Sequence, residues 1–267
     1  MGSFLAMLEL IQQLSTAANK ELPPSSLGRV NVWVVPKDGK LDSLPNYTYE
    51  PCKPVPLGTM FQNGAECISG CLVFQDVVQL PEKQYLKDYH GLLLSMPKLE
   101  DIGMHTSQVL QQVEGANIPL GGWVGGNSWF VSVMIVVEVI KKKGVHSTWI
   151  IKQNTAYFPL KALHAVLKAK FGDRPAGHWV VFYSTIGEVR LIAMAYTWSM
   201  HDGVTYMLST CGSTAPSEKI YKSYFEDDFG NVNYKEINCS KLAHFMYDYL
   251  PIIKEHNKQW QEILGLE

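Results

Sequence analysis

Charge of one sign is what this chain lacks first. Its 267 residues carry 23 Lys and Arg against 25 Asp and Glu, a formal net charge of -2, which provides no global attraction to nucleic acid or to an anionic membrane. Cysteine is sparse and scattered: of Cys52, Cys67, Cys71, Cys211 and Cys239 only Cys67 and Cys71 are close, and neither a second close pair nor a nearby histidine completes a zinc pattern. Reduced thiols in an intracellular protein are expected. A basic leader is missing before the apolar stretch Phe4 to Leu14, which argues against a signal peptide. Position 6 is Ala rather than the Ser or Thr that favours myristoylation. The longest apolar run, Phe130 to Ile140, is eleven residues and holds Glu138, whereas a bilayer crossing needs about 20. No membrane association is expected, and the location is read as intracellular, nuclear rather than cytoplasmic.

Chemical motifs are also missing. The glycines at 121, 122, 125 and 126 lack the Lys-Ser/Thr ending of a phosphate loop. Ser209 and Cys211, with His146, His164 and His201 available elsewhere, have no Gly-x-Ser-x-Gly elbow around them, so nothing supports an acyl-transfer nucleophile. There is no helix-turn-helix, zinc finger, basic tail or internal repeat.

What is present is a hydrophobic fraction of 46%, ordinary for a folded chain of this length. Apolar residues at Phe4, Leu5, Leu8, Ile11 and Leu14 follow helical spacing, and Glu21 to Gly28 reads as a linker rich in turn formers. The expected organisation is therefore an N-terminal helix and linker over 1–28 and one large domain over 29–267. Strands are expected at Val30 to Val35, Gly58 to Phe61, Ile68 to Phe74 and Leu120 to Val124. Residues 82 to 115 are expected to be mostly helical, notably Met104 to Glu114, stopped by Gly115. Trp129 to Lys143 suits a buried helix by length and a strand by its Val and Ile content; length favours the helix. A strand at Thr148 to Lys152 and a helix from Pro159 to Phe171 come next. Strands at Trp179 to Thr185, Val189 to Trp198 and Val204 to Ser209 follow, then a polar acidic loop from Glu226 to Gly230. The last helical region is Ser240 to Leu266, broken at Pro251. Strands followed by alternating helix and strand indicate a mixed α/β sheet.

Four segments occur in order along this pattern: Lys53-Pro-Val-Pro-Leu-Gly58, Glu66-Cys-Ile-Ser-Gly70, Gly126-Asn-Ser-Trp-Phe130 and Thr205-Tyr-Met-Leu-Ser-Thr210. In that order and spacing the chain, over roughly residues 30 to 260, resembles the catalytic domain of piggyBac-type transposases and the host proteins derived from them. The resemblance implies an RNase H-like mixed sheet flanked by helices, here with an N-terminal helical appendage. It also implies DNA excision and integration by aspartates holding two divalent metals, one activating the attacking oxygen and one stabilising the leaving oxygen.

Carried over position by position, the family aspartates fall on Glu66, fixed by Gly70, on Asn127, fixed by Trp129-Phe130, on Lys254 and on Asn257. Glu66 keeps the charge but is one methylene longer; Asn127 and Asn257 are neutral; Lys254 repels a cation. Four aspartates would carry about -4, and these four residues sum to zero. No cofactor is therefore expected: the family uses Mg2+, and a site written this way does not hold it. Each position also has a plain structural reading. Glu66 suits a strand-end surface carboxylate, Asn127 a helix cap, Trp129 and Phe130 core anchors, and Lys254 a solvated helix face.

One local signal runs against the net charge. Between Val139 and Arg174, eight basic residues (Lys141, Lys142, Lys143, Lys152, Lys161, Lys168, Lys170 and Arg174) face one acid, Asp173, a local +7. Such a stretch can contact duplex DNA through phosphates, or merely solubilise two amphipathic helices.

The expected function is a catalytically inactivated transposase-derived domain whose residual role is DNA or protein binding. Two alternatives stand beside it: an active transposase with substitute carboxylates (Glu66, Asp248, Glu255), and a protein-interaction module using the N-terminal helix. A homo-oligomer or an unidentified protein partner stays open. The family's cysteine-rich C-terminal region is not found before Glu267, which weakens the expectation of sequence-specific end binding.

Overall fold

The computed structural model describes residues 17, 19, 24–35, 48–51, 53–67, 72–77, 104–126, 128, 131–172, 177–197, 203–226 and 230–246. The chain is α/β and divides into two compact units, one built from residues 1–125 and 250–267 and the other from 126–249. No helix among the described residues is long and apolar enough to cross a membrane.

In the first unit the strands run β2-β3-β1-β5, with β4 on the other edge contact of β3. Here β1 is Ser26–Val34, β2 Thr48–Tyr49, β3 Leu57–Ala65, β4 Leu72–Val77 and β5 Trp123–Gly126. Strand β1 starts inside the stretch read as linker, because Leu27, fully buried, already belongs to the core. β1 and β3 pair antiparallel from Gly28↔Ala65 to Val34↔Thr59. β3 runs four residues further than its sequence suggested, reaching Ala65 rather than Phe61. Gln62 and Asn63 interrupt its apolar run, yet both are buried.

The reason is a layer of amides beneath helix α1 (Met104–Gly115). Gln62 Oε1 accepts from Gln112 Nε2 at 3.1 Å and from the buried Arg29 guanidinium at 3.3 Å, while Gln62 Nε2 donates to Gln108 Oε1 at 3.4 Å. Gln75 donates to Asn63 across the β3–β4 pair at 3.2 Å. Polar side chains enter a core when their hydrogen bonds are made there.

Helix α1 ends differently from expectation. Gly115 lies within the helix, and Asn117, at φ 54°, takes the left-handed position. The bonds Ile118 N–H to Val113 O and Asn117 N–H to Glu114 O form the paired closure typical of a left-handed stop. Gly115 is small for another reason: a Cβ there would lie 2.9 Å from Phe74 Cε2. β5 also starts later than predicted. Pro119 to Gly122 form a turn closed by Gly122 N–H to Pro119 O at 2.9 Å, with Gly121 at φ 80° and Leu120 exposed.

The N-terminal helix is described only at Ala17 and Asn19, both helical. Asn19 donates to Val73 O and its carbonyl accepts from Asn117, fastening this turn to β4 and to the end of α1.

In the second unit the order is β6-β9-β8-β7, with every neighbour antiparallel. The strands are β6 His146–Ile151, β7 Trp179–Ile186, β8 Val189–Tyr196 and β9 Thr205–Ser209. Register places Ile151, Tyr206, Ala195 and Val180 in one row on one face, with Trp149, Leu208, Ala193 and Phe182 in the next. Helix α3 (Leu160–Phe171) covers this face: His164 Nδ1 meets Tyr206 Oη at 2.9 Å, and Phe158 stands edge-on to the Tyr206 ring. On the other face the segment after β9 and the helix that begins at residue 241 are held by Trp179 Nε1 donating to Thr214 O and by Ser240 Oγ against Met194 Sδ.

Between β5 and β6 the chain is helical, as length favoured, but α2 spans Val133–Lys143 and starts four residues late. Its N-cap is Ser132, whose Oγ accepts from Ile135 N–H at 3.1 Å. The capping role expected of Asn127 therefore belongs to Ser132. Gly144 closes the helix at φ 62°.

A separate antiparallel ribbon, β10 (Tyr221–Glu226) with β11 (Val232–Ile237), flanks the acidic loop. The sequence reading contained neither strand, because Lys, Ser, Asn and Glu alternate with the aromatic residues and leave no apolar run. The described side chains of one face (Lys222, Tyr224, Val232, Tyr234, Glu236) are all exposed.

Candidate functional site

Of the four positions matched to the family aspartates, Glu66 alone has described surroundings. Asn127, Lys254 and Asn257 lie outside the described residues, as do Trp129 and Phe130 and the substitute carboxylates Asp248 and Glu255. Glu66 directly follows β3 and is half-buried. Its Oε1 accepts from Ser25 Oγ at 3.2 Å and Ser26 Oγ at 3.0 Å, and Ser26 Oγ in turn accepts from Cys67 N–H at 3.2 Å. Two hydroxyls at the start of β1 thus clasp the carboxylate at the end of β3. Among the described residues no three His, Cys, Asp or Glu side chains converge in a way that could hold a metal ion.

The basic residues separate by position. Lys141, Lys142 and Lys143 form the last turn of α2, and Lys168 and Lys170 lie in the last turn of α3. Cations at a helix C-terminus offset the negative end of its dipole, so five of the eight have a local structural cause. Lys142 also pairs with Glu138 at 3.5 Å, an acid one residue outside the basic stretch. Lys152 follows β6, Lys161 sits in the first turn of α3, both exposed, and Arg174 lies outside the described residues.

A Ser or Cys nucleophile finds no support in the geometry. Ser209 Oγ is buried and bonded to Thr148 Oγ1 at 2.6 Å, to Ser147 O at 3.0 Å and to Cys211 O at 2.6 Å. Burial raises the Cys211 thiol above its ordinary pKa, only partly offset by hydrogen bonds from Ser209 and Thr148, so the thiolate is disfavoured. His146 reaches Thr210 Oγ1 rather than Cys211, and His164 is taken by Tyr206. His201 lies outside the described residues. The three described cysteines, Cys67, Cys211 and Cys239, are free.

Two adjoining cavities open where the β7–β8 turn, the start of β6 and the end of β9 meet. One, of about 430 Å³, lies between Tyr183, Ile192 and Cys211; the other, of about 860 Å³, lies between Ile140, Lys141, His146 and Glu188. Arg190 and Thr210 wall both. Thr210 is fixed by accepting from Ser147 N–H at 2.9 Å. Sequence reading named Lys141 but passed over Arg190, which stands alone after a Gly-Glu turn and joins the lysines only through the fold.

No family model and no curated protein matches the chain. Among solved structures it is similar to the piggyBac transposase seen by cryo-EM as a synaptic complex with hairpin DNA, at 12% identity and a TM-score of 0.55. That likeness covers 89% of this chain and 40% of the transposase chain, so the sequence spans less than half the length of its structural relative. At that identity it is the fold that is shared, and the chain is α/β with a piggyBac transposase-like fold.

Proposed function

We propose that the chain is a transposase-derived domain of RNase H-like architecture that has lost its metal-dependent chemistry and retains duplex DNA contact as its residual role. The observation that carries the reading is the fold likeness across 89% of the chain to a transposase whose solved complex contains DNA. Loss of chemistry is argued from residue types. Two hard cations need several carboxylate oxygens in near-octahedral arrangement. The matched positions offer two amides (Asn127, Asn257), an ammonium (Lys254) and one carboxylate (Glu66) already clasped by Ser25 and Ser26. That donor set does not fit the metal pair, and no reaction step is derived through it.

The test is a nicking and strand-transfer assay in Mg2+ or Mn2+, comparing the natural chain with the Asn127→Asp plus Lys254→Asp variant. No cutting by the natural chain is expected, and robust cutting by it would overturn the loss of activity and favour the substitute carboxylates.

A further inference from the structure

We propose that the cavities flanking Arg190 and Thr210 are a phosphate clamp, taking a phosphate group borne on a larger molecule. Both cations that wall the larger cavity are unengaged: neither Arg190 nor Lys141 makes a hydrogen bond or ion pair with any described residue. The neighbouring Lys142 is different, being paired with Glu138. Lys141 is also positioned, since its Nζ lies 3.5 Å from where a Cβ on Gly187 would be, over the β7–β8 turn. Both side chains are exposed and line the same cavity, so an anion can reach the two charges from solvent.

The donor types suit phosphate. Arg190 offers a planar fork and Lys141 a point charge, the two modes by which proteins hold phosphate oxygens. Thr210 and His146 add a hydroxyl and a ring nitrogen: His146 Nδ1 lies 3.4 Å from Thr210 Oγ1, and Nε2 has no partner among the described residues. Glu188 is the one acid on the rim, so Lys141, Arg190 and Glu188 leave a net charge of +1 with histidine neutral. The carboxyl end of α2 would by itself repel an anion; three lysines in its last turn reverse that sign. The larger cavity, at about 860 Å³, exceeds what an isolated phosphate fills, which is why the ligand is assigned as a larger body carrying the group, a nucleotide or a nucleic-acid backbone.

The clamp uses none of the residues matched to the family aspartates. The proposal goes beyond the fold-based reading and stands whether or not metal chemistry survives.

The experiment compares the natural chain, the Arg190→Gln plus Lys141→Gln variant, and a Lys168→Gln plus Lys170→Gln control on α3, each confirmed folded by thermal melting. One arm titrates ATP as a soluble phosphate ligand; the other measures anisotropy of a labelled duplex of about 20 base pairs at low salt. The clamp variant should lose about tenfold or more in at least one arm, with the α3 control losing less. Loss in the ATP arm alone identifies a nucleotide-type ligand, and loss in the duplex arm alone identifies a backbone phosphate. Equal binding by the natural chain and the clamp variant in both arms, or no binding by the natural chain in either, overturns the clamp. Duplex binding that falls only in the α3 control leaves DNA contact standing and removes the clamp. Arg190-dependent ATP binding without duplex binding does the reverse.

Discussion

The Cys239 thiol is fully buried, and that burial pushes its pKa up to about 12 from an ordinary value of 9.0, against a smaller opposing effect of the Ser240 backbone. The unfolded chain would release this proton near pH 9 and the folded chain only near pH 12. The stabilising contribution is thus complete below pH 9 and is lost as pH rises towards 12, at up to about 1.4 kcal/mol per pH unit. Urea denaturation at pH 7 and pH 10 should show the natural chain losing roughly 1 kcal/mol more than Cys239→Ala over that interval. Parallel losses would mean the thiol is not held neutral by the fold. At this scale the sequence was partly readable. A scattered, odd set of cysteines gave free thiols, and the three described ones are free. Helix capping was assigned to the wrong residue: Asn127 and Ser132 are both good caps, and only the actual start of α2 distinguishes them. Glu66 was visible as a carboxylate at a strand end, but its two serine partners lie 40 and 41 residues away in sequence, beyond any local pattern.

Among elements, α1 shows how a glycine can be misread. Gly115 resembled a stop because glycine favours left-handed caps, whereas it is kept small by the Phe74 ring and Asn117 makes the turn. Gly115→Ala would improve helix propensity by up to about 1 kcal/mol in an open helix. Here the added methyl meets the ring at 2.9 Å, and the net effect is expected to be a loss of roughly 1–2 kcal/mol. Asn117→Gly relieves the left-handed φ of 54° but removes the Nδ2 bond to Asn19 O, so a net loss of up to about 1 kcal/mol is expected. Chemical denaturation of the two variants checks both signs; a stabilised Gly115→Ala would show that Phe74 moves aside freely. Helices α1, α2 and α3 were legible through their length and end signals, α2 by length alone because its Val and Ile content suits a strand equally. β3 was cut short and β10 and β11 were missed for one reason: strand recognition depended on apolar runs. Buried amides in β3 and exposed aromatics on the ribbon break the link between hydrophobicity and burial.

For the whole molecule, a net charge of -2 opposes a local +7, so duplex contact should occur through a limited surface and respond strongly to salt. The logarithm of affinity is expected to fall with the logarithm of salt concentration with a slope of about -2 if Arg190 and Lys141 alone neutralise phosphates. It would approach about -6 if the lysines of α2 and α3 act together. A slope near zero would exclude backbone contact as the source of binding. The order of short motifs pointed to the piggyBac-like fold, while no single motif could, because the fold is carried by strand order and spacing at 12% identity. The boundary between the two compact units at Gly125 and Gly126 has no counterpart in the sequence reading, since unit membership depends on long-range pairing. One consequence of the amide layer under α1 concerns acid. Gln62, Gln108 and Gln112 carry no proton that leaves or arrives across the ordinary pH range, so the seam joining α1 to β3 is fixed by groups that do not titrate. Acidification therefore leaves that seam chemically unchanged, and the centre of the first unit should be insensitive to it.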